Sequence, residues 1–169
     1  DEILTRLNNV LPNMPTGLYM QAIVKQNLGQ LQQAIDSVRQ QLYPHWQLCI
    51  ADDCSSDPKI RPLLETAMAE DPRIQVVFRE RNGHISASSN SAMELVQAPW
   101  VALLDHDDLL EPDALFRAIE LLQTDREADV IYSDEDKIVD GNLAAPMLKP
   151  DWSPEFFVTQ NYLGHFMVM

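Results

Sequence analysis

Three runs of acidic residues could do chemistry in this chain of 169 residues. They occupy residues 52–53, 105–108 and 134–136, and each follows a short apolar stretch. Carboxylates gathered in one place repel each other unless a cation lies among them. Carboxylate oxygens suit Mg²⁺, Mn²⁺ or Ca²⁺ better than Zn²⁺. Because Mg²⁺ commonly completes its coordination with substrate phosphates, the pattern indicates a metal that holds a diphosphate.

Acidic residues that follow strands also serve as helix caps or solvated loop residues. Asp57 and Asp113 precede predicted helices and fit that structural role, and the pair at 52–53 fits either role. The run at 105–108 differs, because apolar residues flank it directly on both sides. Charged groups so close to the core favour a functional role.

Hydrophobic periodicity predicts the elements that must position these acids. The predicted strands cover residues 18–24, 47–51, 74–78, 100–104 and 129–132, and the predicted helices cover 28–42, 57–71, 85–96 and 112–122. Strands that alternate with helices of this length predict an α/β fold, with a mostly parallel sheet covered by helices on both faces. Ligands of such sheets bind outside the carboxyl ends of the strands, so the acidic runs should meet at one edge.

The pattern changes after the fifth predicted strand. Asp140-Gly141 is typical of a hairpin turn, and prolines punctuate a loop-rich region after it. We expect an N-terminal lead over 1–17, a core over 18–136 and a further region over 137–169 that is incomplete. The chain starts without Met and ends in an apolar run, so we expect a fragment of a longer protein.

The composition excludes several classes of partner. The 12 Lys+Arg against 26 Asp+Glu give a formal net charge of -14, which argues against binding of nucleic acid or of an anionic membrane surface. No apolar run approaches the roughly 18 residues of a transmembrane helix. Two cysteines, Cys49 and Cys54, form no disulfide framework, so we expect a reducing compartment: the cytoplasm, either free or at the inner face of the membrane.

Blocks along the chain resemble the family 2 glycosyltransferases, above all the bacterial enzymes that build O-antigen and related polysaccharides. The resemblance covers the chain from about Leu28 to its end. The blocks that carry it are IADDCSSD at 50–57, NGHISASSN at 82–90, LLDHDDLLEPD at 103–113, IYSDEDK at 131–137, KPDWSP at 149–154 and QNYLGH at 160–165.

The resemblance implies a Rossmann-like GT-A fold, a UDP- or dTDP-sugar donor, inversion at the anomeric carbon, and a saccharide or lipid-linked acceptor. Asp53 matches the position that hydrogen-bonds the donor's base. Asp105-His106-Asp107 matches the D-x-D motif, in which Asp105 would face the ribose or sugar and Asp107 would ligate Mg²⁺ or Mn²⁺. The remaining donor-binding positions, beside the nucleoside, are matched by Asn82, Gly83 and Asn90.

Two departures from the family pattern bear on function. Ala22, Val24 and Lys25 stand where family members carry Pro, Tyr and Asn of a Pro-x-Tyr-Asn motif, which leaves the contact to the base open. The family's catalytic base lies in a later acidic motif, beyond Met169, so the catalytic residue is unknown here. We therefore expect metal and donor binding but poor sugar transfer.

Two other functions share the acidic pattern. A Mg²⁺-dependent phosphohydrolase of the haloacid-dehalogenase type also has D-x-D after a buried strand, although usually on its first strand and followed by Gly-Thr. A non-catalytic receiver or nucleotide-binding module has paired acids at one strand end and an Asp at another. Here the D-x-D motif follows the fourth predicted strand, which favours neither.

Overall fold

The computed structural model describes residues 16–22 and 28–169. Within these ranges the chain forms eight strands and five helices. The strands are β1 (Thr16–Ala22), β2 (Trp46–Asp52), β3 (Ile74–Phe78), β4 (Trp100–Asp105), β5 (Ile131–Tyr132), β6 (Glu135–Val139), β7 (Asn142–Met147) and β8 (Met167–Val168). The helices are α1 (Leu28–Arg39), α2 (Ile60–Glu70), α3 (His84–Met93), α4 (Ala114–Thr124) and α5 (Pro154–Thr159).

The main sheet has the strand order β3-β2-β1-β4-β8-β5. The first four strands in this order are parallel, whereas β8 pairs antiparallel with both β4 and β5. β5 therefore runs in the same direction as β4, and the carboxyl ends of five strands lie at one edge of the sheet. The predicted α/β fold is confirmed, with an antiparallel strand that the sequence pattern did not predict.

Alternating side chains of β2 explain why helices cover both faces of the sheet. Leu48 and Ile50 pack into a large cluster with the apolar sides of α1, α2 and α4. Cys49 and Ala51 face the other way, where they pack with Ala92 of α3. Two-sided burial is the reason that the strand reads as a continuous apolar run.

Several predicted element boundaries need correction, among them the end of α1, which lies at Arg39 rather than at 42. α2 begins at Ile60 rather than at 57, because the Asp57 carboxylate accepts a hydrogen bond from the Lys59 backbone N–H at 2.9 Å in the preceding turn. α3 ends at Met93 rather than at 96, and β5 begins at Ile131 rather than at 129. Of the predicted strand at 18–24, residues 23 and 24 lie outside the described residues, as do residues 1–15 of the predicted lead.

The region predicted to be rich in loops contains two strands that the sequence pattern did not predict, on either side of the predicted hairpin turn. β6 and β7 pair antiparallel through the predicted turn at Asp140-Gly141, where φ is 51° and 77°. Both residues have a positive φ, in the left-handed region, as a two-residue hairpin turn of type I′ requires. The Asp140-Gly141 turn is confirmed.

The loop that follows β4 is fixed to α1 at its far end. The buried Gln41 side chain donates to the carbonyl of Glu111 at 2.7 Å and accepts from the Leu115 N–H at 3.0 Å. The Ser37 hydroxyl accepts from the Leu110 N–H at 3.2 Å. These bonds hold the acidic segment 105–108 from the side of α4.

None of the helices in the described ranges has the length and apolar character that crossing a bilayer requires.

Candidate functional site

The first two acidic runs lie at the same edge of the sheet, on either side of β1. The register aligns Ala22 of β1 with Asp52 and Gln21 with Asp105, so both runs begin at the carboxyl ends of their strands. Two strand spacings of about 4.8 Å separate β2 from β4, which puts the two runs about 10 Å apart at their base. A nucleoside can span a distance of that size, whereas a single ion is too small to contact both runs.

Asp53 lies in a closed pocket, with only 2% of its side chain exposed. Its Oδ1 accepts from Arg79 Nε at 2.7 Å, and both carboxylate oxygens lie 3.0 Å from the Gly83 N–H. Arg79 also donates to the carbonyl of Ala87 at 2.8 Å and to the Ser91 hydroxyl. The Asp53 pocket thus ties the end of β2, the loop 79–83 and α3 together.

Gly83 and Asn82, both predicted to lie beside the nucleoside of the donor, contact Asp53 in this pocket. A Cβ on Gly83 would lie 2.7 Å from Ala87 Cβ and 2.7 Å from Arg79 Nη2, so the pocket excludes any larger residue. Asn82 donates to the Asp53 carbonyl at 3.2 Å and accepts from the His84 N–H at 3.2 Å. The structure does not bring Asn90 into the pocket: it lies exposed on α3 and its carbonyl accepts from the Glu94 N–H.

The second run forms an open acidic rim, which we define as Asp105, Asp107, Asp108 and His165. The side chains of Asp105 and Asp107 are 53% and 51% exposed. His165 Nδ1 lies 2.8 Å from Asp108 Oδ2 and 3.6 Å from Asp105 Oδ2. One ligand atom from each of Asp105, Asp108 and His165 lies within 4.8 Å of the other two.

Asp107, the metal ligand that the family resemblance implies, lies outside that group of three. Its carboxylate Oδ1 is 3.7 Å from Nδ1 of His106, whose side chain is largely buried. Nothing in the structure tests which of the acids binds a metal, so the role of Asp107 stays a prediction.

Burial and the neighbouring acids together disfavour the charge of Asp108. Burial raises the pKa of its carboxyl group, and the neighbouring charges of Asp105 and Asp107 raise it further, against the lowering effect of His165. The ionised form of Asp108 is therefore less favourable in the folded chain than in the unfolded chain. A cation among these groups would remove that penalty.

The donor set of the acidic rim fits a divalent cation. Two carboxylates and one imidazole suit Mn²⁺, which accepts oxygen and nitrogen ligands, and carboxylates alone suit Mg²⁺. His165 Nδ1 faces both carboxylates, at 2.8 Å from Asp108 Oδ2 and 3.6 Å from Asp105 Oδ2. A cation bound by all three groups would take the place of the direct contact between Nδ1 and Asp108.

The third acidic run, 134–136, is engaged in structural bonds. The Asp134 carboxylate accepts from the Lys149 N–H at 2.7 Å, and Glu135 Oε2 lies 2.9 Å from Lys149 Nζ. Burial raises the pKa of Glu135, but the hydrogen bonds from Lys149 and the His165 N–H outweigh it, so the net shift is downward. A carboxylate with a lowered pKa is a poor general base.

Sequence reasoning assigned no role to Arg79, Lys149 or His165 at the site. A basic residue directly after a buried strand was the available signal for Arg79, since it must find a partner at the sheet edge. No local pattern indicates that a residue 60 positions from Asp105 returns to it. That contact depends on the antiparallel strand β8, which the periodicity did not predict.

Comparison with known proteins decides the family. The sequence profile described as glycosyl transferase family 2 matches residues 23–167. The chain belongs to glycosyl transferase family 2. The predicted resemblance is confirmed, and it takes precedence over the phosphohydrolase and receiver alternatives.

Two relatives illustrate the family's range. The uncharacterized protein y4gI of Sinorhizobium fredii is 43% identical over 166 residues, which cover 98% of this chain and 18% of that protein. The O-antigen biosynthesis protein RfbC of Myxococcus xanthus is 30% identical over 140 residues, which cover 82% of this chain and 11% of RfbC. This chain therefore spans less than a fifth of the length of either relative.

Two solved structures share the fold. TarS of S. aureus in complex with UDP has a TM-score of 0.63 at 20% identity, over 76% of this chain and 37% of that one. Mannosyltransferase PcManGT from Pyrobaculum calidifontis, in complex with GDP-Man and Mn²⁺, has a TM-score of 0.63 at 17% identity, over 81% of this chain and 42% of that one. Both are GT-A glycosyltransferases, so the predicted GT-A fold is confirmed.

Proposed function

We propose that this chain is the nucleotide-sugar-binding part of an inverting glycosyltransferase. It takes a nucleoside-diphosphate sugar, a UDP- or dTDP-sugar first of all, and serves transfer of the sugar to a saccharide or lipid-linked acceptor in polysaccharide synthesis. The observation that carries this proposal is the acidic rim beside the Asp53 pocket, at the carboxyl edge of a GT-A sheet.

Family membership and the ligands of related structures support the donor class. TarS binds UDP and PcManGT binds GDP-Man with Mn²⁺. The separation of about 10 Å between the two acidic runs leaves room for a base and ribose at one end and a diphosphate at the other.

The divalent cation, Mg²⁺ or Mn²⁺, would be held at the acidic rim by Asp105, Asp108 and His165, with Asp107 as the ligand that the family resemblance assigns. When bound, the cation supplies neutralisation of the charge that develops on the departing nucleoside diphosphate. In the same resemblance Asp105 also faces the ribose or the sugar. The half-exposed carboxylates of Asp105 and Asp107 can reach such a ligand from the rim.

The Asp53 pocket would receive the nucleoside. Asp53 already accepts bonds within the protein, so a hydrogen bond to the base requires that Arg79 or Gly83 share an oxygen with it. Asn82 and Gly83 then line the loop beside the base, and Asn90 lies farther along the adjoining helix. Val24 and Lys25, the departures from the family pattern, lie outside the described residues.

We assign no catalytic base in this chain. Inverting transfer needs a carboxylate that takes the proton of the acceptor hydroxyl. Glu135, the most tightly paired acid of the third run, is unsuited to this role because its pKa is lowered. We propose that the base belongs to the later acidic motif of the family, that residues 137–169 begin the acceptor side, and that transfer takes place in the reducing cytoplasm, where Cys49 and Cys54 stay free.

A thermal-shift experiment tests the proposal. The melting temperature is measured with UDP, dTDP or GDP, each with and without Mn²⁺, and with UMP as the control that lacks the β-phosphate. We expect Mn²⁺ and a nucleoside diphosphate together to raise the melting temperature by about 5–10 °C at a hundred times the Kd, and UMP to gain nothing from Mn²⁺.

Matched variants identify the residues. Asp105→Asn and Asp107→Asn should each remove the extra gain from Mn²⁺, whereas Asp136→Asn, an exposed acid of β6 with the same change of charge, should keep it. Stabilisation by the diphosphates that is equal with and without Mn²⁺, or equal to that by UMP, would reject the bridging role of the metal.

A further inference from the structure

Lys149 is a buried lysine at the centre of the contacts that support the acidic rim. Only 1% of its side chain is exposed. Its ammonium group donates to the carbonyl of Leu163 at 2.7 Å and to the carbonyl of His165 at 3.3 Å, and it lies 2.9 Å from Glu135 Oε2. All three partners lie on the β6 side or on the segment that leads into β8.

The same group of contacts fixes the backbone on both sides of His165. Glu135 Oε2 accepts from the His165 N–H at 3.2 Å, so one carboxylate oxygen joins the lysine to the histidine backbone. Gly164 has a φ of 59°, and a Cβ on it would lie 2.6 Å from Glu135 Oε2 and 3.2 Å from Lys149 Nζ. The turn at 163–165 therefore has room for glycine alone at its centre.

A buried ammonium this close to an acidic rim has two opposite effects on cation binding. Its charge repels a cation, which lowers affinity. Its hydrogen bonds hold the His165 backbone so that the imidazole lies 2.8 Å from Asp108, which raises affinity if the imidazole is a ligand. The two effects are separated by whether the affinity for the cation rises or falls when Lys149 is replaced.

We infer that Lys149, with Glu135 and Gly164, is a positioning residue that orders the 163–165 turn and so presents His165 to the cation at the acidic rim. This inference rests on the proposed function, because it takes the rim to be a cation site. Lys149 contacts neither donor nor metal: it acts through the His165 backbone. Burial of a lysine ammonium group lowers the stability of a fold unless the group is paired. Here the same contacts that pair the Lys149 ammonium group also orient His165.

The experiment is a Mn²⁺ titration of the 169-residue chain, followed by the electron paramagnetic resonance signal of free Mn²⁺. Lys149→Met should weaken Mn²⁺ binding by about tenfold, the usual size of the effect when the outer partner of a ligand is removed. Lys137→Met is the control: it removes an exposed lysine of β6 and so makes the same change of charge. It should leave the affinity unchanged or slightly higher.

A second pair of variants changes no charge and covers the case in which Lys149→Met fails to fold. Gly164→Ala puts a methyl group against Glu135 and Lys149, whereas Gly141→Ala meets nothing within 4 Å although its φ, 77°, is similarly positive. Gly164→Ala should weaken Mn²⁺ binding by several-fold, and Gly141→Ala should not. Both folded states are verified by circular dichroism before titration.

Three outcomes distinguish this inference from the proposed function. Mn²⁺ affinity that rises or stays constant in Lys149→Met, or that is equal in the two glycine variants, overturns the positioning role. If His165→Asn binds Mn²⁺ as the wild type does, His165 is not a ligand and the positioning role is wrong, whereas the proposed function fails only if Asp105→Asn and Asp107→Asn also bind Mn²⁺ as the wild type does. If His165→Asn weakens binding and Lys149→Met adds nothing further in that background, the positioning role is supported.

Discussion

The two acidic sites at the carboxyl edge of the sheet have the same chemical groups and opposite surroundings. Asp53 is buried, and its carboxylate is neutralised by Arg79 and by the N–H of Gly83. The acidic rim has three carboxylates, two of them half-exposed, against one imidazole. One site is internally complete, and the other has an excess of negative charge.

This difference separates a carboxylate that the free fold already uses from carboxylates that lack a countercharge, more clearly than the sequence does. A carboxylate whose hydrogen bonds are satisfied by the protein stabilises the loop 79–83 whether or not a ligand is bound. Carboxylates that repel each other reduce the stability of the free protein, and binding of a cation among them raises that stability. We therefore expect substitutions at the two sites to change stability in opposite directions.

The largest expected effect is at the closed site. Asp53→Ala leaves the guanidinium of Arg79 without its carboxylate and the Gly83 N–H without an acceptor, and should lower the free energy of unfolding by about 3 kcal/mol. Urea denaturation measures this change. Asp107→Ala, at a half-exposed position of the rim, is the control and should change the free energy by less than about 0.5 kcal/mol. Equal losses in both variants would contradict the contrast between the sites.

An intermediate effect is expected from the glycine that completes the closed site. Gly83→Ala brings a Cβ within 2.7 Å of Ala87 and Arg79, so we expect a loss of about 2 kcal/mol from overpacking. Gly141→Ala, in the open hairpin turn, should lose about 1 kcal/mol through its positive φ alone. Thermal unfolding of both variants gives the comparison, and a harmless Gly83→Ala would show that the loop 79–83 yields easily.

The smallest effect has the opposite sign and lies in the acidic rim. The pKa of Asp108 is raised by burial and by its acidic neighbours, so the stability associated with its protonated form is present below the ordinary value of 3.8 and is lost as the pH rises through the folded-state pKa. Asp108→Asn should therefore be more stable than the wild type at pH 7, by about 0.5 kcal/mol.

The check is urea unfolding in the presence of EDTA at pH 7 and at pH 4. The advantage of Asp108→Asn should shrink at pH 4, because the raised pKa leaves more of the wild-type carboxyl group protonated there than at pH 7. A variant that is less stable than the wild type at pH 7 would mean that the contact with His165 outweighs the repulsion.

Local pattern was sufficient for most of the fold. The apolar run before Asp52 predicts a strand because both faces of that strand are buried. The spacing of the apolar residues from Leu31 to Val38 predicts a helix because one side of that helix is buried. β8 leaves no such trace: it has two residues, and it pairs with β4 and β5, which are distant in the chain. Hydrophobic periodicity does not predict strands that are this short and that depend on pairing with distant segments.

The candidate site could be predicted to the level of the sheet edge and no further. The motifs indicated Asp53 and Asp105 to Asp108, since the carboxyl ends of parallel strands meet. The closure of one site by Arg79 and the arrival of His165 at the other depend on side-chain contacts across 26 and 57 or more positions. The domain division at 136–137 and the separate roles of Asp105 and Asp107 stay predictions.

A crystal of the chain soaked with MnCl₂ and UDP tests the cation site most directly, because the anomalous scattering of manganese locates the ion without assumptions about ligands. The account predicts one strong peak at the acidic rim, within coordination distance of Asp105 or Asp108 and of His165, with the UDP phosphates on its open side. A rim without manganese, while UDP is bound elsewhere on the chain, would contradict it.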